Sequence, residues 1–160
     1  MSLPNVLCSL NGCSVTFAGS DTPALKNVSL SIASGRRLVI VGESGSGKTT
    51  LARLLANLLP GNATVTGDIV WNVENLASRR SMGGRDIAYI FQDPTTALNP
   101  LLPIGKQIGE AAHYHLEMSK LELKAHVAAL LEKLQLSTTD SFLKSYPHQL
   151  SGGQNQRVAL

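Results

Sequence analysis

Short apolar runs that alternate with Ser and Thr fill the first part of the chain. They extend over Val6–Phe17 and over residues 28–32, and this alternation predicts two strands with one buried face each. Residues 37–41 (Arg-Leu-Val-Ile-Val) are almost all apolar and do not alternate with polar residues, which predicts a strand buried on both faces. Leucines at helical spacing then predict a helix over residues 48–59, which a Pro-Gly pair ends.

Strand patterning continues to about residue 91 and then gives way to helical periodicity. Before that point we predict strands at Ala63–Trp71, with an irregularity at Gly67, and at residues 86–91. After it, Pro94 and further prolines mark a loop, and apolar positions recur at helical spacing over Ile104–His115, over 121–134 and in a short turn at 140–145. We therefore predict an α/β portion, residues 1–91, followed by a mostly helical portion, residues 92–160.

Composition and charge narrow the classes of protein that fit. Of the 160 residues, 43% are hydrophobic and 16% charged, which favours a folded domain over a disordered chain. The formal charge of +3 gives no reason to expect a nucleic-acid partner, and Arg36-Arg37 and Arg79-Arg80 are interpreted as surface charge. No apolar run approaches the roughly 20 residues of a membrane helix. The two cysteines suit a reduced, intracellular protein, so we expect a cytoplasmic chain.

A glycine-rich segment lies between the predicted buried strand and the first predicted helix. Residues 42–49 match G-x-x-x-x-G-K-[ST] at every fixed position. Glycines let backbone amides approach an anion, and the positive end of the following helix strengthens that anion site. The segment therefore predicts a nucleotide site made of Gly42, Glu43, Ser44, Gly45, Ser46, Gly47, Lys48, Thr49 and Thr50. The alternative is a glycine-rich turn with an accidental Lys-Thr pair, which this context disfavours.

The side chains of this segment have separate expected roles. Lys48 brings a mobile positive charge to the β- and γ-phosphates, and the Thr49 hydroxyl is a ligand for Mg²⁺. Thr50 is expected to contact the α-phosphate. Nucleotide binding follows from the pattern, although the pattern alone does not select among the classes of P-loop NTPase.

A second motif stands close to residue 150. The run Leu150-Ser151-Gly152-Gly153-Gln154 resembles the LSGGQ signature of ABC-type ATPases. A helix cap is the simpler explanation of Ser-Gly-Gly alone, but here it follows a phosphate-loop motif in the same chain. The resemblance implies an α/β P-loop NTPase fold, the ABC-type nucleotide-binding domain, with an antiparallel β portion and a helical insert. It also implies ATP, Mg²⁺ and a head-to-tail dimer in which Ser151, Gly152, Gly153 and Gln154 meet the partner's ATP.

Two further residues receive roles from this resemblance. Gln92 matches the Q-loop glutamine, which in the family contacts Mg²⁺ and couples the core to the helical insert, so we expect it to act in catalysis and metal binding. Phe17 stands where the family places an aromatic ring that stacks on adenine. Packing in the core is the alternative for Phe17.

A narrower resemblance concerns the transported substrate. Residues 91–110 and 145–154 look like the corresponding regions of dipeptide, oligopeptide and nickel importer ATPases. The resemblance implies an ATP-binding subunit that energises uptake through a transmembrane permease, peripheral on the inner face of the cell membrane. A periplasmic binding protein would be an indirect partner, and the choice between peptide and nickel stays open.

The resemblance also identifies which catalytic groups to look for. In the family the Walker B aspartate, the catalytic glutamate and the switch histidine follow the signature, and none maps onto residues 1–160. Asp93 and Glu110 do not replace them, because neither ends an apolar run. We therefore expect no hydrolysis by these residues alone and hypothesise an incomplete ABC subunit. The alternatives are a non-hydrolysing nucleotide-binding fragment and an ABC-type ATPase without a permease.

Overall fold

The computed structural model describes residues 5–72, 86–93, 96–115 and 118–160. The chain forms two compact units, Met1–Ile87 and Ala88–Leu160. Arg79, Arg80 and Pro94, for which the sequence predicts surface charge and a loop, lie outside the described residues.

An antiparallel sheet of three strands organises the first unit. Its strands are β1 (Val6–Phe17), β2 (Leu25–Ala33) and β3 (Ala63–Trp71), with β1 in the centre. Leu10 of β1 lies opposite Leu30 of β2 and Ile69 of β3. The predicted antiparallel β portion is thus confirmed. β1 and β3 have the predicted bounds, and β2 begins three residues before the predicted start at 28.

The central strand keeps one face buried even though its alternation shifts. Cys8 and Leu10 are buried, and a register irregularity then separates Leu10 from Cys13. This extra residue returns Cys13 and the next alternate position to the buried face, as a β-bulge does. Gly67 of β3 lies beside the irregularity with φ +85°, and a Cβ there would stand 2.5 Å from the Gly12 carbonyl oxygen. The irregularity predicted at Gly67 therefore reflects a close approach of two backbones.

Helix α1 (Lys48–Leu55) covers the buried face of the sheet. Leu51 and Leu54 join the sheet residues in one core cluster. The helix ends four residues before the predicted end at 59, because Asn57 adopts φ +57° and turns the chain out of the helical path. The side chain of Leu58, expected on the helix, is exposed.

The predictions of buried strands at residues 37–41 and 86–91 are wrong. Neither segment forms a strand, and residues 86–91 contribute only a single bridge at Ile87. The side chains of Val39 and Val41 are 78% and 88% exposed, and that of Ile90 is 64% exposed. An apolar run shows that a segment suits burial, but a strand also needs a hydrogen-bonding neighbour, which a local pattern does not supply.

Four α-helices build the described part of the second unit. They are α2 (Ile104–His115), α3 (Lys120–Lys133), α4 (Asp140–Leu143) and α5 (Gly152–Val158). The first three lie where helical periodicity predicted them, within one or two residues. Buried side chains of these three helices, Ile104, Val127, Leu131 and Phe142, form one cluster with Leu136 of the loop that follows α3. A capping box between Ser119 and Glu122 fixes the start of α3.

Candidate nucleotide-binding site

The Lys48 side chain is tied to the loop that precedes α1. Its ammonium donates to the Gly42 carbonyl oxygen at 2.8 Å, to the Glu43 carbonyl oxygen and to Ser46 Oγ at 3.2 Å. An ammonium has three N–H donors, and here each has an oxygen acceptor supplied by the loop. Phosphate oxygens are acceptors of the same kind and carry charge, so the ammonium is positioned over a loop where such a group could replace these partners.

The loop backbone is shaped for an anion at the start of α1. Gly45 and Gly47 have φ +80° and +88°, a region that side chains other than glycine rarely adopt. Gly47 is the N-cap residue of α1, and no side chain of the described residues caps this end. The first N–H groups of the helix are therefore left for another acceptor. Thr49 is exposed and Thr50 partly buried in this first turn.

Gly47 also satisfies a constraint that the motif does not reveal. A Cβ at this position would lie 2.5 Å from the Ala24 carbonyl oxygen and 2.8 Å from Leu25 Cδ2. The loop therefore lies directly against the start of β2. At Gly45, by contrast, an added Cβ would meet no atom within 4 Å.

A cavity of about 220 Å³ lies beside the loop within the first unit. Its lining includes Leu25 and Val28 of β2 together with Gly42, Ser46 and Lys48. Its apolar wall and charged rim are the combination that ligand sites use.

Phe17 lies elsewhere in the first unit and is absent from the lining of this cavity. Its ring is partly buried and packs against the core cluster of the sheet. Stacking on adenine stays a prediction for this residue.

The signature residues occupy the start of α5 in the second unit. Ser151 is the N-cap, its Oγ accepts from the Gln154 N–H at 3.3 Å, and Gln154 Oε1 accepts from the Ser151 N–H at 2.9 Å. This capping box explains Ser151 and Gln154 by local structure alone. Gly152 and Gly153 are exposed, have no positive φ, and a Cβ at either would meet nothing within 4 Å. No neighbour within the described residues therefore requires glycine at these two positions.

Gln92 lies in the second unit, on an exposed stretch of chain. With Phe91 and Ala97 it lines a cavity of about 60 Å³, to which Gln156 and Leu160 contribute from the other end of the unit. The structure thus brings Gln92 close to the end of the helix that begins with the signature. The loop glycines, Lys48 and Phe17 belong to the first unit.

Three polar residues of the second unit have structural roles that the sequence did not reveal. Gln107 of α2 accepts from the Asn99 N–H at 2.8 Å and donates to the Leu102 carbonyl oxygen at 2.8 Å, so it holds the loop before the helix. Asn155 and Arg157 of α5 bond to backbone carbonyls of neighbouring segments. Such partners lie 5 to 23 positions away, and no local pattern signals them.

The comparison with protein families identifies the family of this chain. The family model described as ABC transporter matches residues 25–160. The chain belongs to the ABC transporter family. The prediction that rested on the two motifs is thereby confirmed.

Among curated proteins, this ABC transporter chain is similar to several import ATP-binding proteins. It is 40% identical to the dipeptide transport ATP-binding protein DppD of Bacillus subtilis, over 92% of this chain and 46% of that protein. It is 37% identical to the oligopeptide transport ATP-binding protein OppD of Salmonella typhimurium, over 98% of this chain and 49% of that protein. The chain thus spans about half the length of these relatives.

A solved structure supports the fold class directly. A dimeric ATP-binding cassette in a post-hydrolysis state, bound to ADP and Pi, superposes with a TM-score of 0.76 at 28% identity. The match covers 95% of this chain and 66% of that chain. A P-loop NTPase fold of the ABC type is therefore established for this chain, and ABC ATPases as a family bind nucleotide. Within the described part of the chain, no helix has the length and apolar character to cross a membrane.

Proposed function

We propose that this chain binds MgATP as the nucleotide-binding subunit of an ABC importer for peptides. The observation that carries the proposal is the Lys48 ammonium, held by three oxygen acceptors over a glycine loop at the open start of α1. The residues of the loop fit MgATP, because backbone amides, an ammonium and two threonine hydroxyls are the chemical groups that bind triphosphates and their metal ion.

Each residue of the loop takes a distinct part in this proposal. Residues 42–47 place their amides around the phosphates, and Lys48 neutralises the charge of the β- and γ-phosphates. Thr49 supplies a hydroxyl to Mg²⁺, and Thr50 contacts the α-phosphate. Gln92 is the proposed second contributor at the metal and at the attacking water, and Phe17 the proposed support for adenine.

The signature residues are proposed to act on a second subunit. Gly152 and Gly153 are exposed, and a Cβ added at either would meet no atom of the described residues within 4 Å. Small residues that internal packing does not require suit a surface where a ligand or another backbone approaches closely. We assign that approach to the ATP of a partner subunit in a head-to-tail dimer, with Ser151 and Gln154 shaping the contact.

The cargo and the membrane partners follow from the relatives. Their names describe dipeptide and oligopeptide transport, so peptides are the proposed cargo class. Nickel, which the sequence resemblance also allowed, has no support among these relatives. The proposed partners are a second ABC ATPase subunit, a permease at the inner face of the membrane and, indirectly, a periplasmic binding protein.

Nucleotide titration of paired lysine variants tests the binding site. Lys48→Met removes the ammonium and keeps the aliphatic stem, whereas Lys26→Met makes the same change at an exposed position on β2. We expect MgATP affinity to fall at least about tenfold in Lys48→Met, because a hydrogen bond to a charged group contributes roughly 1.5–3 kcal/mol. Lys26→Met should bind like the parent chain, and equal affinity in both variants contradicts the proposal.

Phosphate release in the same samples separates the catalytic alternatives. Release that depends on Mg²⁺ and disappears in Lys48→Met identifies hydrolysis by this chain. Binding without release supports the alternative of a non-hydrolysing nucleotide-binding protein and leaves the assignment of the binding residues intact.

A further inference from the structure

Asn155 stands out in the second unit because it is buried and polar. Its side chain is 8% exposed, and it is the one buried polar residue among those that the structure describes. Nδ2 donates to the Pro147 carbonyl oxygen at 2.9 Å, while Oδ1 has no hydrogen-bond partner within the described residues. A buried acceptor without a donor is unfavourable, so packing alone does not account for asparagine here.

The bond from Asn155 joins α5 to the turn that precedes it. This turn (Pro147–Gln149) is closed by the Gln149 N–H, which donates to the Tyr146 carbonyl oxygen at 2.9 Å. The segment that leads into this turn is hydrogen-bonded to α2, because the Ile104 N–H donates to the Ser145 carbonyl oxygen at 2.9 Å. Asn155 therefore connects the signature helix to a turn that is fixed on the first residue of α2.

Arg157 provides a second connection from the same helix. Its Nη1 donates to the Leu134 carbonyl oxygen at 3.3 Å, at the C-terminal end of α3. Its Nε donates to the Gly153 carbonyl oxygen at 3.2 Å, in the first turn of α5 itself. A cation at a helix C-terminus is electrostatically favoured, so this contact holds α5 against the end of α3.

We propose that Asn155 and Arg157 are positioning residues that fix α5, and so set the direction in which Gly152 and Gly153 face. The helix is short and its first residues are exposed, so its orientation depends on these lateral contacts more than on its own length. The part of this proposal that concerns a partner's nucleotide rests on the function proposed above. The anchoring of α5 itself does not.

Amide hydrogen exchange on the full chain tests the anchoring. The variants are Asn155→Leu and Arg157→Met, which remove the polar contacts while keeping bulk. Val158→Ala is the matched control, since it weakens the packing of the same helix on the same core and breaks no polar contact. We expect exchange at the bonded amides of Gln149, Leu150 and position 155 to rise about tenfold in Asn155→Leu relative to amides of α3.

Arg157→Met should raise exchange at position 155 and at Ala159, whose N–H donates to the Asn155 carbonyl oxygen at 3.0 Å. The control should raise exchange evenly across the unit. Local exchange that does not differ between Asn155→Leu and Val158→Ala overturns the proposal, because the asparagine would then contribute no more than packing.

Sedimentation with and without MgATP tests the consequence for a partner. The two anchor variants should bind MgATP as the parent chain does but self-associate about tenfold more weakly, a difference equivalent to one net hydrogen bond. Val158→Ala should associate as the parent does. If amide exchange in α5 becomes faster in the anchor variants but their self-association stays as strong as in the parent, the functional part of the inference is overturned. A parent chain that neither binds MgATP nor associates contradicts the proposed function instead, and the exchange result then decides the anchoring by itself.

Discussion

Replacing Gly47 by alanine should destabilise the first unit far more than the same change at Gly45. At Gly45 the new methyl group enters open space, so only the positive φ opposes it. At Gly47 the positive φ is combined with a Cβ position 2.5 Å from the Ala24 carbonyl oxygen. The two atoms cannot approach so closely, and α1 must therefore move away from the start of β2.

The magnitudes follow from these two contributions. A left-handed backbone costs a residue with a Cβ roughly 1–2 kcal/mol, so we expect Gly45→Ala to lose about that much. Overpacking against a fixed backbone adds roughly 1–3 kcal/mol, which brings the expected loss for Gly47→Ala to roughly 2–5 kcal/mol. Gly61 has neither constraint, and Gly61→Ala should be neutral or slightly stabilising, by up to about 1 kcal/mol.

Urea unfolding followed by tryptophan fluorescence measures this order. Trp71 is the single tryptophan of the chain, lies at the end of β3 and packs against the core of the first unit. The free energy of unfolding should decrease from Gly61→Ala to Gly45→Ala to Gly47→Ala. If the Gly47→Ala variant is already unfolded without urea while the Gly45→Ala variant is folded, the result agrees with this order of stability. Equal losses at Gly45 and Gly47 refute the argument from the Ala24 contact.

Two further predictions concern the second unit. Gly153→Ala should raise the free energy of unfolding by about 0.5–1 kcal/mol, because glycine weakens a helix and an added Cβ meets open space. The same variant should weaken MgATP-dependent self-association. Urea unfolding measures the first effect and sedimentation the second. Hydrogen bonds from Ser119 lower the pKa of Glu122 below its ordinary value of 4.5. The ionised carboxylate therefore stabilises the start of α3 above about pH 4.5, and this stabilisation is lost as the pH falls through the pKa of the folded state. The protection factor of the Leu123 amide, whose N–H donates to the Ser119 carbonyl oxygen, should fall in acid, and Glu122→Gln should remove this fall. An acid response that persists in Glu122→Gln contradicts that cause.

Local patterns located the elements whose burial is repetitive. Strand patterning located β1 and β3 at both ends, although the bulge between Leu10 and Cys13 shifts the alternation within β1. Helical spacing located α2 and α3 within about a residue, and the capping box explains why α3 begins at Lys120. The two motifs were found because their residue types are tied to fixed positions in the sequence.

The errors arose where an element depends on distant partners. Residues 37–41 are as apolar as a buried strand, but no segment within the described chain pairs with them, and their backbone is not built into a sheet. The contact between Gly47 and Ala24 spans 23 positions, so the motif pattern could not show it. Asn155 follows the signature in sequence, yet its bond to Pro147 depends on how α5 and the turn pack.

The glycines of the two motifs differ in how far the contacts of their own chain explain them. Gly47 is required by its own backbone angle and by Ala24, so its presence would be expected even if the loop bound nothing. The functional argument for the first motif therefore rests on Lys48, whose ammonium lies on the loop and could exchange its three oxygen acceptors for phosphate oxygens. Gly152 and Gly153 have no such internal explanation within the described residues, and the helix that they begin would be more stable with alanine. Under the proposed function, the close approach of a partner subunit's nucleotide accounts for these two glycines.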